Sequence, residues 1–202
     1  MTMMNDVLWP FLGKFIVVYL DNMLIYSKIE DKHKEHLSRV LQIFWDNKLY
    51  ANIAKCKFGR MTLLYLGHII SAEGICPDLE KVEAVRSWKN PKSVKELQSF
   101  LGLANFYRRF IMNFVKQAKL LTKLLRKGVT FWWGDLQEKA FKDLKEALSI
   151  APVLQLLNLE ESFIVYADAS DIALGYILQW NDSEGRGLKP IAFKSHMLMG
   201  IE

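Results

Sequence analysis

A helix start at Ser93 is the sequence feature that most constrains the fold of this chain. The Ser93 hydroxyl and the Glu96 carboxylate, three residues apart, form a capping box that satisfies free backbone N–H groups. Pro91 ends any helix before it, because proline disfavours helical backbone in the preceding residue. Apolar residues then follow at helical spacing: Leu97, Phe100, Leu101 and Ala104. The sequence therefore predicts an amphipathic helix that must bury one face.

Short apolar runs predict β-hairpins before this helix. Residues 15–20 and 23–27 are apolar, β-branched and aromatic, and the two residues between them, Asp21 and Asn22, tolerate the left-handed conformations of a tight turn. We expect both strands to be largely buried, with Asp21 at an exposed tip. Residues 63–70 predict another strand, and residues 71–74 predict the turn that follows it.

Further helices and a second set of strands complete the pattern. The helical segments are residues 31–48 with solvated His33 and His36, 77–88, 119–127 ended by Gly128, and a helix from Asp135 that ends near Pro152. Runs at residues 163–167, 173–179 and 190–194 predict an antiparallel meander, with a polar loop at residues 181–185. Because a lone three-stranded sheet leaves one face bare, we expect this last domain to be incomplete. The fold class is α+β.

Positive charge is concentrated in one segment of the chain. Between Arg86 and Lys127 the sequence has eleven Lys or Arg residues and one acid, Glu96, whereas the whole chain has 27 basic and 22 acidic residues. Such localised charge favours a polyanion partner, although a solvated lysine face on a helix gives the same pattern.

The sequence favours an intracellular protein, cytoplasmic or nuclear, that is not secreted. It has no signal-peptide pattern, and charged residues interrupt every apolar stretch before it could span a membrane. Cys56 and Cys76 have no partners at metal-binding spacing and are interpreted as ordinary thiols.

Two carboxylates are candidates for cation binding. Asp21 lies on a hairpin tip and Asp168 follows a predicted strand, and such positions suit hard oxygen ligands. Taken alone, an Asp at such a position is usually a simple turn residue, and both interpretations stay open.

The order of several segments resembles the polymerase polyprotein of a gypsy-class (Ty3/gypsy) long-terminal-repeat retrotransposon. The segment VVYLDNMLIYS at 17–27 is similar to the reverse transcriptase hairpin Tyr-x-Asp-Asp, and YLGHII at 65–70 is similar to the hairpin that holds the primer end. The run VKELQSFLGLANFYRRFI at 94–111 is typical of the thumb and connection. The segments PVL at 152–154, YADASD at 166–171 and PIAF at 190–193 resemble the entry to the RNase H-like domain.

The resemblance implies a domain organisation and a role for several residues. Residues 1–75 would be the end of the palm, 76–150 the thumb and connection, and 151–202 the start of the RNase H-like domain. Asp21 and Asp168 would be catalytic ligands of Mg²⁺ in the polymerase and RNase H sites. The implied nucleic-acid-binding residues, facing an RNA–DNA hybrid or a DNA or RNA duplex, are Tyr19, Gly67, His68, Arg108, Arg109, Lys119, Lys123, Arg126 and Lys127.

Departures from the family pattern lead to three hypotheses. Position 22 is Asn where the family usually has Asp, and a neutral amide is the weaker cation ligand. The family pattern also places the principal palm Asp before residue 1 and further RNase H carboxylates beyond Glu202. The chain would then be an inactive fragment, a basic nucleic-acid-binding module without catalysis, or an enzyme completed by the remainder of the polyprotein.

Overall fold

The protein is described by a computed structural model that covers residues 2–156, 162–170, 173–180 and 189–198. The predicted loop at 181–185, together with Asp171 and Glu202, lies outside these ranges. The chain divides into two compact units, residues 1–60 and residues 61–202. Helices and small antiparallel sheets occur in both units, which confirms the α+β class. In the described ranges no helix is both long and apolar enough to cross a membrane.

The first unit packs a hairpin against two helices. Its elements are α1 Thr2–Leu8, β1 Ile16–Tyr19, β2 Asn22–Ile25 and α2 Glu30–Asp46. Its small core consists of Leu8, Phe15, Ile16, Val40 and Phe44.

The β1–β2 hairpin differs from the prediction in its turn and its burial. Tyr19 pairs with Asn22, so the turn residues are Leu20 and Asp21, and Leu20 has a left-handed φ of 56°. The expected burial of both strands is wrong, because Ile16 is buried while Val17 and Tyr19 are 42% and 53% exposed. The helices of this unit cover one face of the hairpin, and apolar composition alone does not reveal which face stays open.

In its described residues, the second unit contains two three-stranded antiparallel sheets and four α-helices. Its elements are β3 Leu63–Tyr65, β4 His68–Ser71, β5 Gly74–Pro77, α3 Leu79–Arg86, α4 Val94–Phe106, α5 Phe114–Lys123, α6 Asp135–Ser149, β6 Phe163–Ala169, β7 Ala173–Trp180 and β8 Pro190–Met197. The strands lie in the orders β3-β4-β5 and β6-β7-β8. The prediction of one strand over residues 63–70 is wrong, because Leu66 and Gly67 turn the chain back with φ values of 49° and 72°. The predicted turn at residues 71–74 is confirmed, because it joins β4 to β5 in a hairpin.

Helix α4 begins as predicted. The Ser93 hydroxyl accepts a hydrogen bond from the Glu96 N–H at 3.3 Å, and the Glu96 carboxylate accepts one from the Lys92 N–H at 2.9 Å. Helix α5 ends at Lys123, earlier than the predicted Lys127, and the chain reaches Gly128 (φ 81°) through turns.

The apolar faces of α4, α5 and α6 form the main core. Phe100 of α4 meets Phe141 of α6 with ring centroids 4.5 Å apart, and both side chains are at most 1% exposed. The β6-β7-β8 sheet joins this core through α5, because the Val115 N–H donates to the Ser195 hydroxyl at 3.0 Å. Near the start of α5, a Cβ on Gly175 would lie 2.2 Å from Asn113 Oδ1, so a larger residue would require the Asn113 side chain or β7 to shift.

Removing the helix cap should destabilise the second unit measurably. We expect Ser93→Ala to lower the free energy of unfolding by about 1 kcal/mol, because the Glu96 N–H loses its side-chain acceptor. Urea unfolding followed by circular dichroism measures the change. The control is Ser99→Ala in the exposed middle of α4, where the hydroxyl bonds the Lys95 carbonyl in the same helix. An equal loss in both variants would contradict a capping role.

Candidate nucleic-acid interface

The turn between β3 and β4 rests on the end of α4. The buried Tyr107 hydroxyl donates a hydrogen bond of 2.7 Å to the Gly67 carbonyl. A Cβ on Gly67 would lie 3.2 Å from Phe106, in addition to the strain of a side chain at its positive φ. Glycine therefore fits this position because the backbone turns sharply and lies close to an aromatic ring.

His68 follows the turn and lies in an aromatic cluster. Its ring centroid is 5.2, 5.5 and 5.7 Å from those of Phe106, Tyr107 and Phe110. Its Nδ1 lies 2.8 Å from the Leu66 carbonyl, an acceptor only, so Nδ1 carries the proton and Nε2 is unprotonated in the neutral ring.

Burial lowers the pKa of His68, and the nearby Arg109 charge lowers it further, whereas the hydrogen bond to Leu66 opposes both. Its buried Nε2 has no hydrogen-bond partner within the described part of the chain. Protonation of that atom would therefore place an unpartnered charge next to apolar rings.

Two arginines follow directly on Tyr107. Arg108 and Arg109 are both exposed at the surface. The Arg109 guanidinium lies 5.9 Å from the centre of the Phe110 ring, and partial burial lowers its pKa, although arginine stays charged at physiological pH. The pair therefore presents positive charge next to the β3–β4 turn.

A basic stripe forms the second charged surface of this unit. We use that name for Lys119, Lys123, Arg126 and Lys127, all exposed on or just after α5. Three of them line a groove of about 380 Å³ together with Leu120, Thr122 and Met197. Within the described ranges, no stripe residue forms a salt bridge. Their charge is therefore available to a polyanion.

The two candidate metal ligands lie in different units and each is exposed. Asp21 occupies the hairpin tip, where the Asn22 amide donates to its carboxylate at 3.3 Å. Tyr19 lies at the end of β1. Asp168 lies within β6, paired with Gly175, rather than after the strand as predicted.

The donor set at these carboxylates does not suit a two-cation centre by itself. Among residues 2–156, 162–170, 173–180 and 189–198, no group of three or more His, Cys, Asp or Glu side chains is placed to hold a metal ion. The hairpin tip offers one carboxylate and one neutral amide, and a pair of divalent cations requires several oxygen ligands each. These residues alone therefore do not form a two-metal catalytic centre.

The two helix histidines are not the solvated residues that the sequence predicted. His36 Nδ1 lies 2.7 Å from the Ser27 hydroxyl, and its ring stacks on Phe15 with centroids 3.8 Å apart. His33 Nδ1 lies 3.4 Å from the same hydroxyl. The prediction failed because α2 packs on the first hairpin, a contact that helical periodicity alone does not fix.

Comparison with known proteins matches two segments of the chain to protein families. Residues 1–70 match the reverse transcriptase (RNA-dependent DNA polymerase) family, and residues 133–202 match the RNase H-like domain found in reverse transcriptase. The transposon Tf2-7 and Tf2-8 polyproteins of Schizosaccharomyces pombe (strain 972) are each 36% identical over 174 residues. That alignment covers 86% of this chain, and the chain spans 13% of the length of those polyproteins.

Solved structures of similar fold come from a foamy virus. Its protease-reverse transcriptase, in complex with an RNA/DNA hybrid, matches 98% of this chain with a TM-score of 0.81 and 27% identity, over 26% of that protein's chain. The same protein in complex with dsDNA matches with a TM-score of 0.82 and 27% identity, over 98% of this chain and 40% of that one.

These matches and the fold define a reverse transcriptase segment that adjoins an RNase H-like domain. Within that class, the chain is similar over 86% of its length to polyproteins of Ty3/gypsy-type retrotransposons.

Tyr107 is the residue of this interface that sequence reasoning missed. It lies within the family-like run at 94–111, yet nothing in that run assigns it a partner. Gly67, its partner, is 40 positions away in the sequence. The available signal was a tyrosine at a buried helical position. A buried tyrosine hydroxyl usually has a hydrogen-bond partner, so Tyr107 indicated a contact with another segment.

The lowered pKa of His68 should make stability depend on pH. The folded state binds this proton less readily than the unfolded chain, whose pKa is near the ordinary value of 6.5. The contribution of His68 to the free energy of unfolding is therefore fully present above the pKa of the unfolded chain. It is lost as the pH falls through the lowered pKa of the folded state.

Urea unfolding between about pH 7.5 and about pH 5.5 tests this expectation. We expect His68→Asn to weaken the pH dependence, since an amide can donate to Leu66 but does not titrate. His196→Asn, at an exposed position of β8, is the matched control. An unchanged pH profile in His68→Asn would contradict the interpretation.

Proposed function

We propose that this chain is the palm hairpin, thumb and connection, and RNase H-like part of a retrotransposon reverse transcriptase, and that its own activity is to bind nucleic-acid duplexes. The expected ligands are an RNA–DNA hybrid or a DNA or RNA duplex. The boundaries 1–75, 76–150 and 151–202 belong to this proposal. The observation that carries it is the basic stripe, whose charges have no protein partner in the described ranges.

The geometry of the stripe supports backbone binding. Lys119 and Lys123 are one helical turn apart, about 6 Å along the axis at 1.5 Å per residue. Phosphates of one strand follow each other at about 3.4 Å along a duplex, so neighbouring stripe residues can reach separate phosphates. Contacts of this kind do not read base sequence. We therefore expect sequence-independent, salt-sensitive binding, to which Arg108 and Arg109 add charge.

The similar solved structures support a duplex ligand. The foamy viral protease-reverse transcriptase is described in complex with an RNA/DNA hybrid and with dsDNA. In this chain, Tyr19, Gly67 and His68 are proposed to contact the primer strand.

Catalysis is proposed to require the rest of the polyprotein. Asp21 and Asp168 would each bind Mg²⁺ only with further carboxylates from that remainder, since no three-donor group occurs in the described residues. Those cations would supply nucleophile activation and charge neutralisation at the reacting phosphate. By itself, the chain is proposed to hold nucleic acid without reacting.

Neutralising the basic stripe should weaken binding and reduce its salt dependence. We expect Lys119→Gln, Lys123→Gln and Arg126→Gln together to lower the slope of log Kd against log salt by about 2.7, since each phosphate contact contributes about 0.9. Fluorescence anisotropy with an RNA–DNA hybrid measures the slope.

The control removes the same number of charges from α2. Lys32, Lys34 and Arg39 form ion pairs with Glu30, Asp31 and Glu35, and their change to Gln should alter the slope far less. Equal effects of the two triple variants would show that net charge alone, rather than the stripe, governs binding. Absence of duplex binding by the unaltered chain would refute the proposed function.

A primer-extension assay tests the proposal about catalysis. We expect the isolated chain to extend no primer with Mg²⁺ or Mn²⁺, because the hairpin tip carries one carboxylate. Extension that disappears in Asp21→Ala but persists in Asp46→Ala, an exposed acid at the end of α2, would show instead that the chain is active.

A further inference from the structure

The β3–β4 turn and the two arginines are held together by one buried side chain. Tyr107 is 1% exposed and its hydroxyl bonds the Gly67 carbonyl. Arg108 and Arg109 directly follow it in the chain. A shift of this tyrosine would therefore change the position of the turn relative to the arginines.

Three elements meet at the Tyr107 hydroxyl. Besides Gly67, the backbone and the carboxylate of Asp78 lie close enough to influence its pKa, which burial raises most. Asp78 is itself buried and caps α3 through a 3.0 Å hydrogen bond from the Glu80 N–H. The hydroxyl thus lies at the junction of the turn, the start of α3 and the end of α4.

Aromatic packing supports the turn from the other side. The Phe106 ring meets the Tyr107 ring edge-on, with centroids 4.8 Å apart, and it also lies against Gly67. Leu66, at the tip of the turn, is 38% exposed, and Phe106 is 52% exposed. The turn therefore presents a partly apolar surface next to positive charge, a combination that suits the end of a duplex, where a base face and phosphates are both accessible.

We propose that Tyr107 is a positioning residue that aligns the β3–β4 turn with Arg108 and Arg109, so that together they bind the recessed 3′ end of a duplex. This inference rests on the proposed duplex binding and on the proposed primer-strand contacts of Gly67 and His68, and it adds the residue that holds the turn in place for those contacts. The basic stripe would bind either form, whereas the aligned turn would bind the end.

The experiment compares two RNA–DNA hybrids of equal length, one with a recessed DNA 3′ end and one closed by a loop at both ends. Affinities of the complete chain are measured by fluorescence anisotropy. We expect the unaltered chain to bind the recessed end more tightly. Tyr107→Phe removes only the hydroxyl and should weaken that binding about three- to tenfold, the range of one hydrogen bond, while binding of the closed hybrid changes less than about twofold.

Tyr50→Phe is the matched control, because it makes the same chemical change at a side chain that is 95% exposed. Phe106→Ala is the second variant. It removes the ring beside Gly67 at a half-exposed site, so it tests the alignment even if Tyr107→Phe does not fold. We expect it to reduce the preference for the recessed end as well.

The outcomes separate the two proposals. Loss of the end preference in Tyr107→Phe or Phe106→Ala, with closed-hybrid binding retained, supports the positioning role. A uniform loss on both hybrids in a folded variant, or an unchanged preference, overturns it and leaves duplex binding intact. If the unaltered chain binds neither hybrid, the proposed function fails and the positioning role fails with it.

Discussion

The packing of α4 between α6 and the β3–β4 turn is the contact on which the second unit depends. Phe100 and its neighbours bury one face of α4 against Phe141, so the helix has a fixed rotation about its axis. That rotation places Tyr107 beneath the turn and leaves Arg108 and Arg109 at the surface. Close-packed rings allow few alternative arrangements, so the hydrophobic core also determines where the charge lies.

Two turns carry leucine in a conformation that usually favours glycine. Leu20 precedes Asp21 and Leu66 precedes Gly67, with φ values of 56° and 49°. A left-handed backbone costs a non-glycine residue about 1–2 kcal/mol, and the strand pairing on either side offsets that cost. In both hairpins the strained residue adjoins a position that the family resemblance assigns to metal or primer binding. Tight turns of this kind hold the neighbouring group at a fixed distance from the strands.

The distribution of ion pairs distinguishes α2 from α5, although each helix carries three Lys or Arg residues. Lysines and an arginine on α2 pair with acids one turn away, which is typical of a solvated face. The basic stripe on α5 has no such partners in the described ranges, and Glu96 is the one acid between Arg86 and Lys127. This difference favours a polyanion ligand for α5 over the solvated-face alternative. The unpaired positive charges repel one another, and a bound polyanion would relieve that repulsion.

The sequence by itself determined many of the elements and the family resemblance. The cap at Ser93, the helix from Asp135 and the three last strands were predictable because capping, helical periodicity and strand patterns act over a few residues. Only the tertiary structure decided the contacts of Tyr107 with Gly67 and of His36 with Phe15, the burial of each hairpin face, and the split of residues 63–70 into two strands. These features depend on residues far apart in the chain, and a local pattern does not specify which distant surface will cover it.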